Sequence, residues 1–347
     1  MLCIGSVEDR VPPGHPIRGI KRLADECLKA MDAQFEAMYS ERGRPSIPPE
    51  RLLKAQLLMA LFSVGSERKL CERIDYDLMF RFFLDMDMVE PTFDPTTFTQ
   101  NRDRLLASDA AHAFLKQVVE LGRNHSLMSA EHFSVDGTLI EAWASHKSFR
   151  PKDEDPDDKG DGNRWSGFKG EKRSNETHES KTDPDARLAR KGSGQPAKLS
   201  YSAHALMENR NGLIVDFEVD AATGTAERDV AIKMIERTPG EDATLAADKG
   251  YDTKDFVQDC TDRWVVPHIA RNISGTRRSA VPDDVAATPE YAISIIVRRR
   301  IEQIFGWMKE VGGFRRTRYR GRPRVRAHGQ LVAAAYNLLR ISRLIAA

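Results

Sequence analysis

The stretch Phe133-Ser134-Val135-Asp136-Gly137-Thr138 divides this sequence into two parts. Its apolar and small residues predict a short strand that ends on an acidic residue. Residues 17–125, before it, instead carry apolar side chains at helical spacing, as at Ile20, Leu23 and Cys27. We therefore predict an all-helical N-terminal domain over residues 1–125, and this strand opens a different kind of domain.

Strand patterns and helix patterns alternate after residue 126. Strands are predicted at 199–207, 212–219, 243–248 and 264–269, and helices at 226–237, 253–263, 292–311 and 327–345. Strands that come first and then alternate with helices indicate an α/β fold with a mixed sheet. We assign residues 126–347 to this second domain.

Residues 150–185 differ from both domains. They are rich in charged residues, glycine and proline and contain almost no aliphatic side chains. Such a segment cannot bury enough apolar surface to fold alone, so we predict a mobile loop.

Composition restricts the class of protein only broadly. The 347 residues have a formal net charge of +1, so global charge does not predict a partner. The N-terminus lacks the apolar core of a signal peptide, and no apolar run reaches membrane-spanning length. Widely spaced cysteines indicate free thiols in a reducing, cytoplasmic setting, without a zinc cluster. They are Cys3, Cys27, Cys71 and Cys260.

Two aspartates follow predicted strands and are candidate metal ligands. Asp136 lies before Gly137, where the alternative is a hairpin turn. Asp248 ends the apolar strand 243–247, where acids commonly face a ligand crevice and the alternative is a helix N-cap. Asp252 is better placed for that cap. Carboxylates are the ligands that Mg²⁺ prefers, and two such ions can serve phosphate chemistry.

Glu302 is the third candidate carboxylate. Arg298, Glu302 and Lys309 fall on one side of a predicted helix, beside its apolar stripe. This row can point into a cleft and contact phosphate. The alternative is an ordinary i, i+4 salt bridge on a solvated face.

Positive charge is concentrated directly after this helix. Residues 298–326 contain ten arginines and one lysine against two glutamates. Such a density is typical of a surface that binds a polyanion, although a solvated helix end is the alternative. Tyr319 is predicted to stack on an exposed base. The predicted contacts with such a polyanion, which the resemblance described below implies is DNA, are Arg298, Lys309, Arg315, Arg316, Arg318, Tyr319 and Arg320.

These motifs together resemble the DDE transposases of bacterial insertion sequences. Asp136-Gly137-Thr138 and 247–252 are similar to the first two acidic motifs, and 298–309 is similar to the signature helix Y-x2-R-x3-E-x6-K. Ile295 stands where that pattern has tyrosine, and Tyr291 lies one turn too early. Further similar segments are 143–145, 180–186, 206–210, 222–229 and 334–338.

The resemblance implies an RNase H-like catalytic core with Asp136, Asp248 and Glu302 as metal-binding catalytic residues. It implies two Mg²⁺ ions, or Mn²⁺, and double-stranded DNA as partner, both transposon ends and target. It further implies hydrolysis that frees a 3′-OH, followed by strand transfer without a covalent protein–DNA intermediate. The helical domain would recognise transposon ends or form dimer contacts, and a homo-oligomer on DNA is expected.

Two other functions use the same residues. An RNase H-like nuclease would cut without strand transfer, and a domesticated DNA-binding protein would retain the fold without activity. The presence of all three carboxylates argues against the second.

Overall fold

The computed structural model describes residues 5–38, 47–152, 173–192, 194–224, 226–238, 242–273 and 278–346. The N-terminal region is helical, as predicted. Its helices are α1 (Pro16–Lys29), α2 (Asp32–Met38), α3 (Pro49–Leu61), α4 (Glu67–Tyr76), α5 (Leu78–Phe83), α6 (Pro95–Ala107) and α7 (Ala110–Asn124).

The starts of these helices follow from local sequence. Helix α3 begins at Pro49, and α6 begins at Pro95, because proline fits the first helical turn. The Asp94 side chain accepts hydrogen bonds from the backbone N–H groups of Thr96 and Thr97 and so caps α6. Helix α3 is apolar on most sides and is almost wholly buried.

A mixed sheet follows the helices. Its strands are β1 (His132–Glu141), β4 (Arg187–Ala189), β5 (Lys198–Glu208), β6 (Ile214–Ala221), β7 (Thr244–Ala247) and β8 (Val266–Ile269). Strand β5 pairs antiparallel with β1 on one edge and with β6 and β4 on the other. Strands β1, β7 and β8 run parallel to one another. Because β5 pairs with one edge of β1 and β7 pairs with the other, β1 occupies the middle of the sheet.

Helices cover both faces of this sheet. They are α8 (Ala226–Arg237), α9 (Lys254–Thr261), α10 (Asp283–Ala286), α11 (Pro289–Val297), α12 (Arg300–Glu310) and α13 (Arg322–Ala346). The helical N-terminal region followed by a mixed sheet with helices confirms the predicted α/β, RNase H-like class.

Helix α13 connects the two regions. It packs against α1, α3, α6 and α7 as well as against β6. One continuous hydrophobic core therefore runs from the N-terminal helices to the sheet. The boundary that we placed at residue 125 marks a change of structural class rather than a break in this core.

The segment predicted as a mobile loop contains regular structure at both ends. Strands β2 (Phe149–Pro151) and β3 (His178–Ser180) pair antiparallel. Asp183 is buried and accepts a hydrogen bond from Tyr201 Oη at 2.6 Å. Residues 153–172 of the predicted loop lie outside the described residues.

Candidate active site

Asp136 and Asp248 lie side by side in the middle of the sheet. Strand β1 pairs with β7 so that Ser134 is opposite Ala246. Continuing this parallel register by two residues places Asp136 level with Asp248. Neighbouring strands are about 4.8 Å apart, so the two carboxylates belong to one site. Asp136 lies within a continuous strand, which excludes the hairpin-turn alternative.

Negative charges lie close together around Asp136. Partial burial, together with the negative charges of Asp248 and Glu227, raises the pKa of Asp136 from 3.8 to about 6. The backbone N–H of Gly137 donates a hydrogen bond to Asp136 Oδ1 at 2.8 Å and acts in the opposite direction. The hydroxyl of Tyr251 is buried beside these carboxylates and has no hydrogen-bond partner in the described structure.

The turn after β7 holds Asp248 in place. Asp248 Oδ1 accepts a hydrogen bond from the backbone N–H of Gly250 at 2.7 Å, so this aspartate also caps a short turn. The prediction that Asp252 caps the next helix is wrong, because Thr253 caps α9. Asp252 is buried and instead accepts backbone hydrogen bonds from Asn272 and Ala280.

The predicted helix over 292–311 is divided. Helix α11 ends at Val297 and α12 begins at Arg300. Arg298 and Arg299 keep right-handed helical angles, but the Ile301 N–H bonds to the Arg298 carbonyl, three residues back. The break between α11 and α12 is therefore one turn in which the helix is wound more tightly. It lies at Arg298, the residue that we expect to contact phosphate.

Helix α12 faces β1 next to the aspartates. Lys309 Nζ donates a hydrogen bond to Thr138 Oγ1 at 2.5 Å. Thr138 lies on the same face of β1 as Asp136, two residues away. Burial lowers the pKa of Lys309, as do nearby cations such as Lys191, whereas the charge of Asp136 raises it.

Glu302 lies on the exposed first turn of α12, seven residues before Lys309 and so on the same helix face. Among the described residues, no ion pair joins Arg298 to Glu302, so the salt-bridge alternative gains no support.

Glu227 is an acidic residue that the sequence analysis did not select. It lies in the first turn of α8, and its charge contributes to the raised pKa of Asp136. Arg228 next to it donates a hydrogen bond to the Gly250 carbonyl, which ties the start of α8 to the Asp248 turn. Its sequence signal is weak, because Glu227 follows no strand.

Tyr319 corrects one predicted DNA contact. Its side chain is 5% exposed, with the guanidinium of Arg102 4.9 Å above its ring and the His328 ring 4.9 Å away, edge on. A buried ring cannot stack on a base. The prediction failed because burial depends on α6 and α13, which are distant in sequence.

Arg318 and Arg316 bind the protein's own backbone. The Arg318 guanidinium donates hydrogen bonds to the carbonyl of Val64, which lies beyond the end of α3. Arg316 donates to the carbonyls of Ala142 and Trp143, and its guanidinium stacks 5.5 Å from the Trp143 ring centre. Arg318 therefore attaches the arginine-rich segment to the residues that follow α3, and its contact with DNA stays a prediction.

The other cations remain on the surface. Arg315 forms an ion pair with Glu310, and Arg320 is exposed. Arg322 and Arg326 lie in the first turns of α13 and pair with Asp220 and Glu218. The positive charge beside the site is thus partly neutralised.

Carboxylates level on neighbouring strands, with cationic side chains beside them, are typical of enzymes that act on phosphate esters. Family comparison identifies the class more closely. Residues 129–338 match the Transposase DDE domain, and residues 5–104 match a Transposase domain (DUF772). The chain therefore belongs to the DDE transposase family, and the protein is a DNA transposase, an enzyme of a mobile DNA element. Enzymes of this family use divalent metal ions.

More distant likenesses are found among solved structures. The piggyBac transposase synaptic complex with hairpin DNA is 11% identical, with a TM-score of 0.45, over 98% of this chain and 77% of that chain. The Mos1 transposase paired-end complex with left transposon end is 10% identical, with a TM-score of 0.21, over 88% and 82%. Comparison with curated proteins gives no significant match.

The family match leaves the subgroup with the Y-R-E-K signature helix as a prediction. The Tyr291 hydroxyl donates a hydrogen bond to the Ile269 carbonyl at 2.9 Å, at the end of β8.

No helix in the described part of the chain is long and apolar enough to cross a membrane.

Proposed function

We propose that this transposase binds two Mg²⁺ ions, or Mn²⁺, through Asp136, Asp248 and Glu302. With them it hydrolyses transposon ends to free a 3′-OH and then joins that hydroxyl to target DNA. The observation that carries the proposal is the register of β1 and β7, which sets Asp136 level with Asp248. We further propose that the mobile element is a bacterial insertion sequence and that the protein acts in the cytoplasm, on nucleoid DNA.

The aspartate pair fits a divalent cation. Its carboxylates are hard oxygen donors, and the raised pKa of Asp136 reflects partial burial and nearby negative charge that a cation would offset. When bound, paired ions activate the attacking oxygen and stabilise the leaving oxygen. Asp136 and Asp248 would bind the ions from the fixed sheet, so their position changes little during the reaction.

Glu302 completes the site in this proposal. Within the described ranges, no three carboxylate, thiol or imidazole side chains already surround one point as metal ligands. Glu302 lies along the chain between Arg298 and Lys309, and the charges of both of these residues interact with Asp136. We therefore expect the exposed Glu302 side chain to turn toward the aspartates when ions and DNA are bound.

Arg298 and Lys309 are the proposed phosphate contacts nearest the ions. The Arg298 Nε is buried and has no hydrogen-bond partner in the described structure, so a phosphate oxygen would satisfy it. Lys309 lies beside Thr138 and would release that hydroxyl to contact phosphate. Arg315, Arg316 and Arg320 are proposed to extend this surface along the DNA backbone.

The N-terminal helices are proposed to recognise transposon ends or to form dimer contacts, within a homo-oligomer assembled on DNA. Their support is the matched transposase domain over residues 5–104. Their packing on α13 would transmit the position of bound DNA to the catalytic sheet.

A cleavage and joining assay tests the proposal. Labelled duplexes that carry the element's end sequence are incubated with the protein, Mg²⁺ and a supercoiled target plasmid. We expect nicking at the element's end and labelled joint products for the wild type, and neither for Asp136→Asn, Asp248→Asn or Glu302→Gln. Cleavage without joining would favour the nuclease alternative. Full activity of Asp136→Asn would refute the assignment of the site.

A further inference from the structure

A tryptophan lies exposed just beyond the strand that carries Asp136. Trp143 follows the last residue of β1 by two positions, and it is 49% exposed. It therefore lies past the carboxyl end of β1, and the parallel strand β7 is followed at its own carboxyl end by Asp248. Ligands of open α/β sheets bind outside the carboxyl ends of parallel strands, so this edge of the sheet is where a ligand is expected.

The backbone around Trp143 is held in place. Ala142 and Ala144 are buried, and the Ala142 N–H donates a hydrogen bond to the Leu199 carbonyl at 2.8 Å. Arg316 donates hydrogen bonds to the carbonyls of Ala142 and Trp143, at 3.4 and 3.0 Å. A single exposed apolar side chain is ordinary in itself. This one, however, is presented on a fixed backbone, which lowers the entropic cost of binding a ligand.

Arg316 also holds the ring. Its guanidinium carbon lies over the Trp143 ring, 5.5 Å from the ring centre, in a cation–π contact. About half of the residue nevertheless stays open to solvent. The open part of the ring is flat, aromatic and apolar, and such surfaces are the ones on which nucleic-acid bases stack.

Positive charge lies beside this ring. Arg315 and Arg316 are exposed, and the Glu141 N–H donates a hydrogen bond to the Arg315 carbonyl at 3.1 Å, so both arginines adjoin the end of β1. Burial lowers the pKa of Lys309, and the charges of Lys191 and Arg315 lower it further, so these three cations lie near one another. An aromatic ring among several cations is suited to a ligand that has both phosphates and bases.

The ring is distant from the reacting atoms of the proposed reaction. Asp136 and Glu141 are five residues apart on β1, which corresponds to about 16 Å along the strand. Trp143 lies beyond Glu141, so its ring does not contact the proposed metal ions. Its role would be to position the DNA.

We propose that Trp143 is a stacking site for one unpaired base of the bound DNA, with Arg316 holding the ring and the neighbouring cations contacting phosphates. This inference rests on the proposed function, because it takes DNA as the ligand. The base belongs either to a single-stranded tail or to a nucleotide turned out of the duplex, since both expose the same flat ring. Trp143 thus takes the role that the sequence predicted for Tyr319, whose ring is buried.

Binding of single strands with and without bases tests the inference. The full-length protein, in a chelating buffer, is titrated against a fluorescent thymidine strand of about 15 nucleotides and against an abasic strand of equal length. We expect Trp143→Ala to bind the thymidine strand about 10-fold more weakly and the abasic strand within about twofold of the wild type, because the two strands carry the same phosphates.

Trp264→Ala is the matched control. Trp264 is 74% exposed and precedes β8, so it lies at the opposite edge of the parallel strands. Trp143→Phe keeps an aromatic ring, so its affinity for the thymidine strand should fall between those of the wild type and Trp143→Ala. Circular dichroism must show that every variant folds. Equal losses on both strands overturn the inference, as does binding of the thymidine strand by Trp143→Ala within about twofold of Trp264→Ala.

Duplexes that carry the element's end sequence distinguish the two sources of the base. Weaker binding of the blunt duplex by Trp143→Ala indicates a base turned out of the helix, whereas a loss confined to duplexes with a single-stranded tail indicates the tail. Neither assay contains metal or requires cleavage. A wild-type protein that binds none of these DNAs would refute the proposed function itself, whereas normal binding by Trp143→Ala refutes only the stacking site.

Discussion

Asp136 on β1 and Asp248 directly after β7 fall level when the parallel register of the two strands is continued by two residues, although 111 residues separate them in the sequence. Strand β1 reaches this point from the end of α7, and β7 reaches it through α8, which crosses one face of the sheet. The carboxylates therefore depend on the sheet register, because a slip by one residue would turn one of them to the opposite face.

The aspartate site is predicted to reduce the stability of the metal-free protein. Because the pKa of Asp136 rises from 3.8 to about 6 on folding, the folded protein binds this proton more tightly than the unfolded chain. The stabilising effect of protonation is full below pH 3.8 and is lost as pH rises through about 6.

We expect Asp136→Asn to be more stable than the wild type at pH 7.5 without metal, by about 1–2 kcal/mol. The difference should narrow below pH 6 and vanish near pH 4. Chemical denaturation at several pH values in a chelating buffer measures it, with Asp229→Asn as the control. Equal stabilities at pH 7.5 would contradict the electrostatic account.

Salt dependence distinguishes Lys309 from Arg318. Lys309→Gln should weaken DNA binding and reduce the slope of log affinity against log salt by about 1, because one phosphate contact is lost. Arg318→Gln should leave that slope unchanged but lower the thermal midpoint, because it removes hydrogen bonds to the Val64 carbonyl. DNA affinity is measured by fluorescence anisotropy at several salt concentrations, which gives the slope for each variant. A smaller slope for Arg318→Gln would restore Arg318 as a DNA contact.

Tyr319 is predicted to contribute to stability and not to DNA binding. Tyr319→Ala should cost about 3–5 kcal/mol, since it empties a space between Arg102 and His328. Tyr319→Phe should be nearly neutral, because the hydroxyl is buried without a partner in the described structure. Denaturant unfolding and DNA affinity are measured for both variants. Weaker DNA binding by a stable Tyr319→Phe protein would show that this account omits a contact.

Gly329 is predicted to be essential to the packing of α13. A methyl group there would lie 2.3 Å from Phe217 Cε1 and 2.9 Å from Phe314 Cζ, both in buried rings. Gly329→Ala should therefore destabilise the fold by about 1–3 kcal/mol through overpacking. Thermal unfolding checks this, and Gly306→Ala is the control because space near Gly306 is open. A Gly329→Ala protein as stable as the control would contradict the close contact.

Local signals in the sequence predicted most of the fold. The helices over 17–125 and the strands around Asp136 and Asp248 follow from spacing and from caps such as Asp94, which act within a few residues. The break at Arg298 was not predicted, because it involves hydrogen bonds of one turn only.

Candidate site residues were found where a strand end or a helical row of charges marks them, as at Asp136 and Glu302, and Glu227 has neither signal. Glu227 is brought to Asp136 by the packing of α8, which no local pattern specifies. The arginine-rich segment was predicted to bind a polyanion, with Tyr319 stacking on an exposed base, but Phe314 and Tyr319 are buried in the core. Charge density predicts solvent contact and does not reveal such alternation.

The position of α13 determines when the protein can fold during its synthesis. This helix is the last described element to leave the ribosome, and yet α1, α3, α6 and α7 all pack against it. Chains usually fold region by region as they emerge, but these helices lack part of their apolar partner until α13 has been synthesised. A chain that stops before α13 therefore leaves this apolar surface exposed, and its N-terminal helices cannot complete the core that they share with the sheet.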